Sequence, residues 1–407
     1  MPNAFQAGVA HLTSNYLQNW NGTSVEFPHF ERRFSPREKE ENERRLDRLL
    51  REMPDSFEAH DQMSESARTR ARAKARIVLA KALIPSNDGQ TGRYFEDCES
   101  VAEIFVQRAK ENDPGIQSGD VHQALRNLWV FNSIQAYFDS PVSLTRSSFA
   151  YSLLYPYTDN LLDGADRAEG EPAKFLRWLT ERLEGGPANV FDGRRVILSR
   201  LIGMIEQEFP RQEFPDVYRS LLSIHSAQQE SLRLHREAGD VNEEVLLSLS
   251  VAKGGTSVLA DGFLVSGRLG EEHRDALFGY GVLLQLVDDL QDLGEDLAAG
   301  HSTPFSRAAR GSVLPAMTNR LFRFTRSVVA HMSETSPNRD WNLPRVIQGS
   351  CDALAMEAIA LHSTYYPAGY LTEIEQFLPQ RLSYLATIRQ RFHDRYVSAA
   401  RQHTPPG

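Results

Sequence analysis

The chain has 407 residues, a formal net charge of −9, 41% hydrophobic residues and 24% charged residues. That length suits one large or two ordinary domains, and the composition is that of a soluble globular protein. The acidic excess argues against a general nucleic-acid binder and against a protein that lies on an anionic membrane. The only cysteines, Cys98 and Cys351, lack metal-type spacing, so neither a disulfide framework nor a zinc site is indicated. No basic segment followed by an apolar run opens the chain, and no uncharged apolar window of roughly 18 residues occurs. Neither a secretory leader nor a transmembrane helix is therefore expected, and the cytoplasm is the expected compartment.

In chain order, residues 1–34 show little periodicity and several turn formers, and read as an irregular arm. Ser35-Pro36 then opens a highly charged helix, with Ser35 as N-cap, Pro36 at the first helical position and a narrow stripe at Leu46, Leu49 and Leu50. Residues 64–83 read as a solvated basic helix, because Arg68, Arg72 and Arg76 fall on one face and Arg70 and Lys74 nearly opposite. Loops are expected at 84–92 and 111–120. Helical patterning covers 95–110, 121–138, 146–163, 173–184, 194–208, 216–237, 241–268, 271–297, 315–334, 345–362 and 371–400. Breaks at 185–193, 209–215, 299–312 and 335–344 read as inter-helix loops. Alternating, β-branched runs are almost absent, so the expectation is an all-α fold. One large helical bundle over 35–400, with a tail at 401–407, is the simplest organisation.

The chemistry concentrates in Gly279-Tyr-Gly-Val-Leu-Leu-Gln-Leu-Val-Asp-Asp-Leu-Gln-Asp-Leu-Gly-Glu-Asp296. On a helix, Asp288, Asp292 and Asp296 stack on one face over two turns, flanked by Asp289 and Glu295. Val282, Leu283, Leu286, Val287, Leu290 and Leu293 bury much of the rest. Carboxylates on such a helix repel one another and are costly to desolvate unless neutralised, and hard divalent cations with oxygen ligands are the natural remedy. A solvated acidic stripe is the plainer alternative.

A second cluster, Asp159-Asn160-Leu-Leu-Asp163, ends the helix at 146–163. Tyr155 and Tyr151 continue its face one and two turns earlier, drifting about 40° per step, and Pro156 is expected to kink it. Two acidic helices embedded in apolar sequence could together hold several Mg²⁺ ions around a diphosphate.

Here the chain resembles the class I isoprenoid-biosynthesis enzymes: trans-prenyl diphosphate synthases, squalene and phytoene synthases, and class I terpene synthases. Gln285-Leu-Val-Asp288-Asp289-Leu-Gln-Asp292 is similar to their second aspartate-rich motif, and Asp159-Asn160-Leu-Leu-Asp163 to the first, with Asn160 replacing an aspartate. Gly300-His301-Ser302-Thr303-Pro304-Phe305 resembles the following loop, with His301 where the family commonly has lysine. Lys253, before Gly254-Gly255, is similar to the family's diphosphate-binding lysine, and Gln228 to a glutamine on an intermediate helix.

The resemblance spans roughly residues 120–310. It implies an antiparallel helical bundle of the terpenoid-synthase type, with a deep apolar cavity closed at its mouth by metal-bound carboxylates. Asp159, Asp163, Asp288 and Asp292 are then the Mg²⁺ ligands, and Asp289 completes the catalytic carboxylates. Lys253, Gln228, Gln285, Arg167 and His301 are the candidate diphosphate contacts. Tyr151, Tyr155, Phe131, Trp129 and Phe263 are candidate cavity lining, although aromatics at helical spacing are as readily plain core.

Two departures bear on the reaction. No Gly-Lys-Arg motif occurs near the N-terminus, and one arginine, Arg167, follows Asp163 where chain elongators carry a pair. The implied activity is therefore Mg²⁺-dependent ionisation of one allylic prenyl diphosphate, with release of pyrophosphate and formation of a terpenoid. The alternatives are prenyl transfer of the chain-elongating or squalene/phytoene type, and a non-catalytic prenyl-diphosphate-binding partner protein. A homodimer is compatible with the chain, whose first hundred residues could form a lid, a dimer element or packing for the core.

Overall fold

The computed structural model describes residues 4–52, 89–163, 171–187, 193–236, 242–338, 341 and 343–388. Every regular element among them is helical, so the fold is all-α. The helix expected at 64–83 and the tail at 401–407 lie outside the described residues.

The centre of the bundle is built by two long helices, α9 (Glu243–Ser266) and α10 (Glu271–Gln291). α9 starts where the Asn242 side chain accepts the Glu244 N–H at 2.9 Å, with Glu243 and Glu244 against the positive end of the helix dipole. It stops at Gly267, whose φ of 72° no β-carbon-bearing residue adopts cheaply. Gly254-Gly255 does not break α9. It serves the other purpose open to such a pair, close helix packing.

A β-carbon at Gly254 would stand 2.5 Å from both the Gly281 carbonyl oxygen and the Gln285 Cβ, and one at Gly281 would run into the Gly254 carbonyl. The two backbones touch at this crossing, and α9 against α10 is the most extensive helix pairing among the described residues. Gly255 likewise receives the Phe278 ring.

Around this pair stand α3 (Gly89–Asn112), α4 (Ser118–Tyr137), α5 (Arg146–Asp163), α6 (Glu171–Leu183), α7 (Gly193–Glu208) and α8 (Pro215–Arg236). α13 (Leu314–Thr335) and α14 (Leu343–Leu361) close the α10 side. Pro156 lies inside α5, and the helix runs through it to Asp163. The apolar stretch through Asp292 divides into α10 and a short α11 (Leu293–Ala299). The segment 299–312, expected as loop, contains a further short helix, α12 (Pro304–Arg310). Thr303 and Ser306 form a reciprocal capping box there, with Pro304 in its first turn.

The N-terminal segment corrects the expectation of an irregular arm. Residues Ala4–Gly22 form α1, which buries Phe5, Tyr16 and Trp20 against the core. Tyr16 packs on Gly279, where a β-carbon would clash with its ring, and its hydroxyl donates to the Asp275 carbonyl at 2.9 Å. Asn319, Arg320 and Arg323 of α13 then donate to the carbonyls of Val25, Thr23 and Glu26 and strap down the stretch after α1. Phe5, Val9, Leu12, Tyr16 and Trp20 recur every three or four residues. The turn formers that follow hid that stripe.

α2 (Pro36–Glu52) begins as expected, with Glu38 bonded to the Ser35 amide and hydroxyl. It lies mostly exposed. Its buried contacts include Leu46 and, unusually, Lys39 and Glu43, which bond the Glu375 carbonyl and Arg381.

The helix crossing yields a stability prediction. Gly281→Ala should destabilise by about 1–3 kcal/mol, because neither backbone can yield to the new methyl without separating the helices. Gly203→Ala in α7, with nothing within 4 Å of its β-position, should be neutral or stabilising by up to about 1 kcal/mol. Denaturant unfolding of the two variants checks the contrast.

Candidate functional site

The run of helix directions decides which residues meet. α4 and α10 lie antiparallel, with Arg126 of α4 paired to Asp288 of α10 and Ser133 facing Tyr280 at 3.1 Å. α5 and α9 also run in opposite directions. Ser147, at the start of α5, donates to the Leu264 carbonyl near the end of α9, while Ser152 shares Asn127 with Asp261 further up. Hence the C-terminal ends of α5 and α10 point to the same end of the bundle, with Lys253 of α9. The backbone thus carries both acidic clusters toward one end. The side chains of Tyr155, Asp159, Asn160 and Asp163, and Arg167 entirely, lie outside the described residues.

The second cluster is well defined. The hydrogen bonds Asp292 N to Asp288 O and Asp296 N to Asp292 O, both 2.9 Å, carry helical pairing across the junction of α10 and α11. Asp288, Asp292 and Asp296 therefore share a face as the spacing requires. Asp288, half-exposed, is paired with Arg126. Burial, and then the charge of Asp288, push the Asp292 carboxyl up to about 7, with Arg126 opposing the rise.

Asp296 is followed by a tight reversal at Gly300, φ 75°, in which the His301 N–H donates to the Asp296 carbonyl at 2.8 Å. The His301 Nδ1 lies 3.7 Å from the Asp296 carboxylate. His301 itself is exposed. The cluster thus carries three same-sign groups within two turns, with a guanidinium against Asp288 and an imidazole beside Asp296.

Asp289 and Gln285 are placed differently. One position on from Asp288 turns Asp289 about 100° around the helix, into the α9 interface, where it is 6% exposed. There it accepts the Ser250 hydroxyl at 2.8 Å and the Gln285 amide at 2.7 Å. Burial drives its carboxyl up to about 7, Asp288 adds to the rise, and Lys253 of α9 counters it. Asp289 is a buried brace between the two central helices, and Gln285 is spent on it. Lys253, half-buried, is close enough to act on that carboxyl.

Gln228 lies on α8, which packs along α9, and no bond among the described residues links it to the acidic face. Phe131 and Tyr151 are buried and meet edge to face with centroids 6.1 Å apart. Trp129 packs on Phe95, and Phe263 on Phe5 of α1, away from that pair.

Sequence reasoning passed over Arg126, Ser250 and Asn127. Arg126 had a signal: it is the one arginine or lysine in α4. Ser250 and Asn127 had none, since nothing in their local pattern names a partner more than a hundred residues away or on another helix.

The oxygen-only donor set of the acidic face, with Asp292 raised by burial and a neighbouring like charge, is one that a hard divalent cation would relieve. Among the described residues, no three His, Cys, Asp or Glu side chains converge as a metal-holding group. The first acidic cluster is not among the side chains described. No helix among the described residues is long and apolar enough to cross a membrane. No protein-family model, curated protein or solved structure matches the chain.

Asp289 sets a pH dependence. In the folded protein it keeps its proton to about 7, whereas an unfolded aspartate releases it near 4. Its contribution to stability is therefore full below about 4 and is lost as pH rises through about 7. Between pH 5 and 8 this should cost on the order of 2–3 kcal/mol. Asp289→Asn, which keeps the Ser250 bond, should flatten that decline. Denaturant midpoints of both proteins at the two pH values measure it.

Proposed function

We propose that this protein is a Mg²⁺-dependent enzyme of the class I isoprenoid type, which ionises an allylic prenyl diphosphate and releases pyrophosphate. The observation that carries the reading is the carboxylate face of Asp288 and Asp292. It is half-buried and short of compensating charge, with Arg126 against Asp288 and Lys253 near the adjoining Asp289, at one end of an apolar bundle. The end of α5, with Asp159 and Asp163 in its sequence, runs toward the same place. A solvated acidic stripe would leave Asp292 at an ordinary carboxylate value. Its rise to about 7 comes first from burial and then from Asp288, so this carboxyl is kept out of water beside a like charge at a cost.

In this reading Asp288, Asp292, Asp159 and Asp163 would hold the Mg²⁺ ions. When bound, these supply positive charge where the leaving diphosphate gathers negative charge. Arg126 exchanges its bond to Asp288 for the diphosphate oxygens, since a guanidinium matches phosphate geometry in two places. Lys253 adds a point charge from α9. Below them the apolar interior would exclude water from the allylic cation, and Phe131 and Tyr151 would be the aromatic rings that stabilise it. Ionisation of a single prenyl diphosphate is favoured over chain elongation because the chain lacks the Gly-Lys-Arg and paired-arginine motifs that grip a second diphosphate.

Incubation with Mg²⁺ and geranyl, farnesyl or geranylgeranyl diphosphate should release pyrophosphate and yield organic-soluble terpenoids by mass spectrometry. Asp288→Asn and Arg126→Ala should each lower kcat/KM by about a hundredfold or more. Pyrophosphate release that Asp288→Asn leaves unchanged would sink the metal-diphosphate reading. Product formation only on adding isopentenyl diphosphate would move the assignment to chain elongation.

A further inference from the structure

Deeper in the bundle, α4, α5 and α9 bring three polar side chains together that the acidic face does not use. Asp261 is fully buried in an otherwise apolar stretch of α9. The Asn127 amide donates to its Oδ1 at 3.3 Å and reaches the Ser152 hydroxyl at 3.5 Å. The second carboxyl oxygen, Oδ2, is buried and has no hydrogen-bond partner among the described residues. Both contacts are longer than the usual separation of about 2.9 Å, and one strong acceptor is unmet. A buried polar oxygen left this way costs free energy on the order of 1–3 kcal/mol unless something fills it. Asp261, Asn127 and Ser152 are within the two to four polar partners that a single small oxygen group needs.

The position also matters. Asp261 lies eight residues beyond Lys253 on α9, roughly 12 Å further along the axis. Phe131, one turn beyond Asn127 on α4, and Tyr151, next to Ser152 on α5, pack on each other. A ligand gripped at the acidic end with its tail in the interior would pass this point.

We infer that Asp261, Asn127 and Ser152 form an interior subsite for one neutral hydroxyl oxygen, supplied either by an ordered water or by the alcohol group of an otherwise hydrocarbon ligand. Burial pushes the Asp261 carboxyl well above the usual carboxylate range, which favours the neutral carboxyl, able both to donate to and to accept from such an oxygen. An anion would find no opposite charge among these three groups. A plain hydrocarbon would leave Oδ2 unmet.

Two arms test the subsite, and the choice of a prenyl probe rests on the isoprenoid reading. In the first, farnesol and farnesene are titrated against the full-length protein by calorimetry. Wild type should bind farnesol about tenfold or more tightly over farnesene, because a site built to bond a hydroxyl rejects the analogue lacking it. Asp261→Leu should bring the two within about twofold, while Asp261→Asn, which keeps the hydrogen bonds, should retain the preference. In the second arm, a crystal structure of the ligand-free protein is examined for an ordered water within hydrogen-bonding distance of Asp261 Oδ2.

An alcohol preference lost in Asp261→Leu supports the subsite with a ligand hydroxyl as source. A water at Oδ2 without that preference supports it with water as source. Equal binding of alcohol and hydrocarbon in wild type, with no water at Oδ2, overturns it. Failure of pyrophosphate release would overturn the isoprenoid reading alone, since neither arm uses turnover.

Discussion

The contact on which everything else depends is the backbone-to-backbone crossing of α9 and α10 at Gly254 and Gly281. Two helices normally stand 8–10 Å apart because side chains intervene; here nothing intervenes. The closeness lets a short serine at position 250 reach Asp289 across the interface, and it sets Lys253 near the same carboxyl. Gly279, two residues before the crossing, does the same for α1 by admitting Tyr16. The glycines that open the acidic stretch are thus what seat its helix between α1 and α9, and the position of Asp288 and Asp292 follows from that seat.

Once seated, adjacent residues of one helix take opposite electrostatic roles. Asp288 faces outward to Arg126, and Asp289 faces inward to Ser250 and Gln285. Both ionise in water, but only one has a cation. For Asp289, desolvation outweighs two hydrogen bonds and the pull of Lys253, so its carboxyl is pushed up to about 7 while it braces the two helices. For Asp292, desolvation and the charge of Asp288 together outweigh Arg126. The acidic end is therefore a place where the protein alone does not supply enough positive charge, and that deficit is the physical opening for a charged ligand.

How much of this was readable before folding depended on the range of the interaction. Most of the helices and their approximate ends follow from apolar spacing and local caps such as Ser35-Pro36, which act within one or two turns, but the run expected at 371–400 is interrupted after Glu375. The shared face of Asp288, Asp292 and Asp296 is likewise local, and survives the break between α10 and α11. α1 was misread although its stripe is local, because the turn formers after Gly22 outweighed five well-spaced apolar residues. The division of Asp288 from Asp289 was not readable. Both are aspartates in apolar sequence, and only the helix packed alongside tells them apart. Gly254-Gly255 left two outcomes open, break or close packing, and only the presence of Gly281 opposite resolves them. Arg126 could be singled out as the one arginine or lysine of its helix, but not joined to Asp288, since the pairing spans 162 positions.

α4 shows how the fold links its two polar regions. Arg126 and Asn127 are neighbours in sequence, about 100° apart around the helix axis. One turns to the acidic end through Asp288, and the other to the interior through Asp261. A helix that shifted by one residue would exchange them, burying a guanidinium against Asp261 and exposing an amide to the carboxylates. The aromatic and polar contacts further along α4 resist that slip: Ser133 to Tyr280 and Tyr137 to Thr335, at 3.1 and 2.8 Å. Register on this one helix therefore holds a charged end and a neutral interior hydroxyl site in the same molecule. In the proposed reading, a ligand whose anionic head is held through cations bound at the acidic end, and whose body is apolar, would meet each chemistry where that part of it lies.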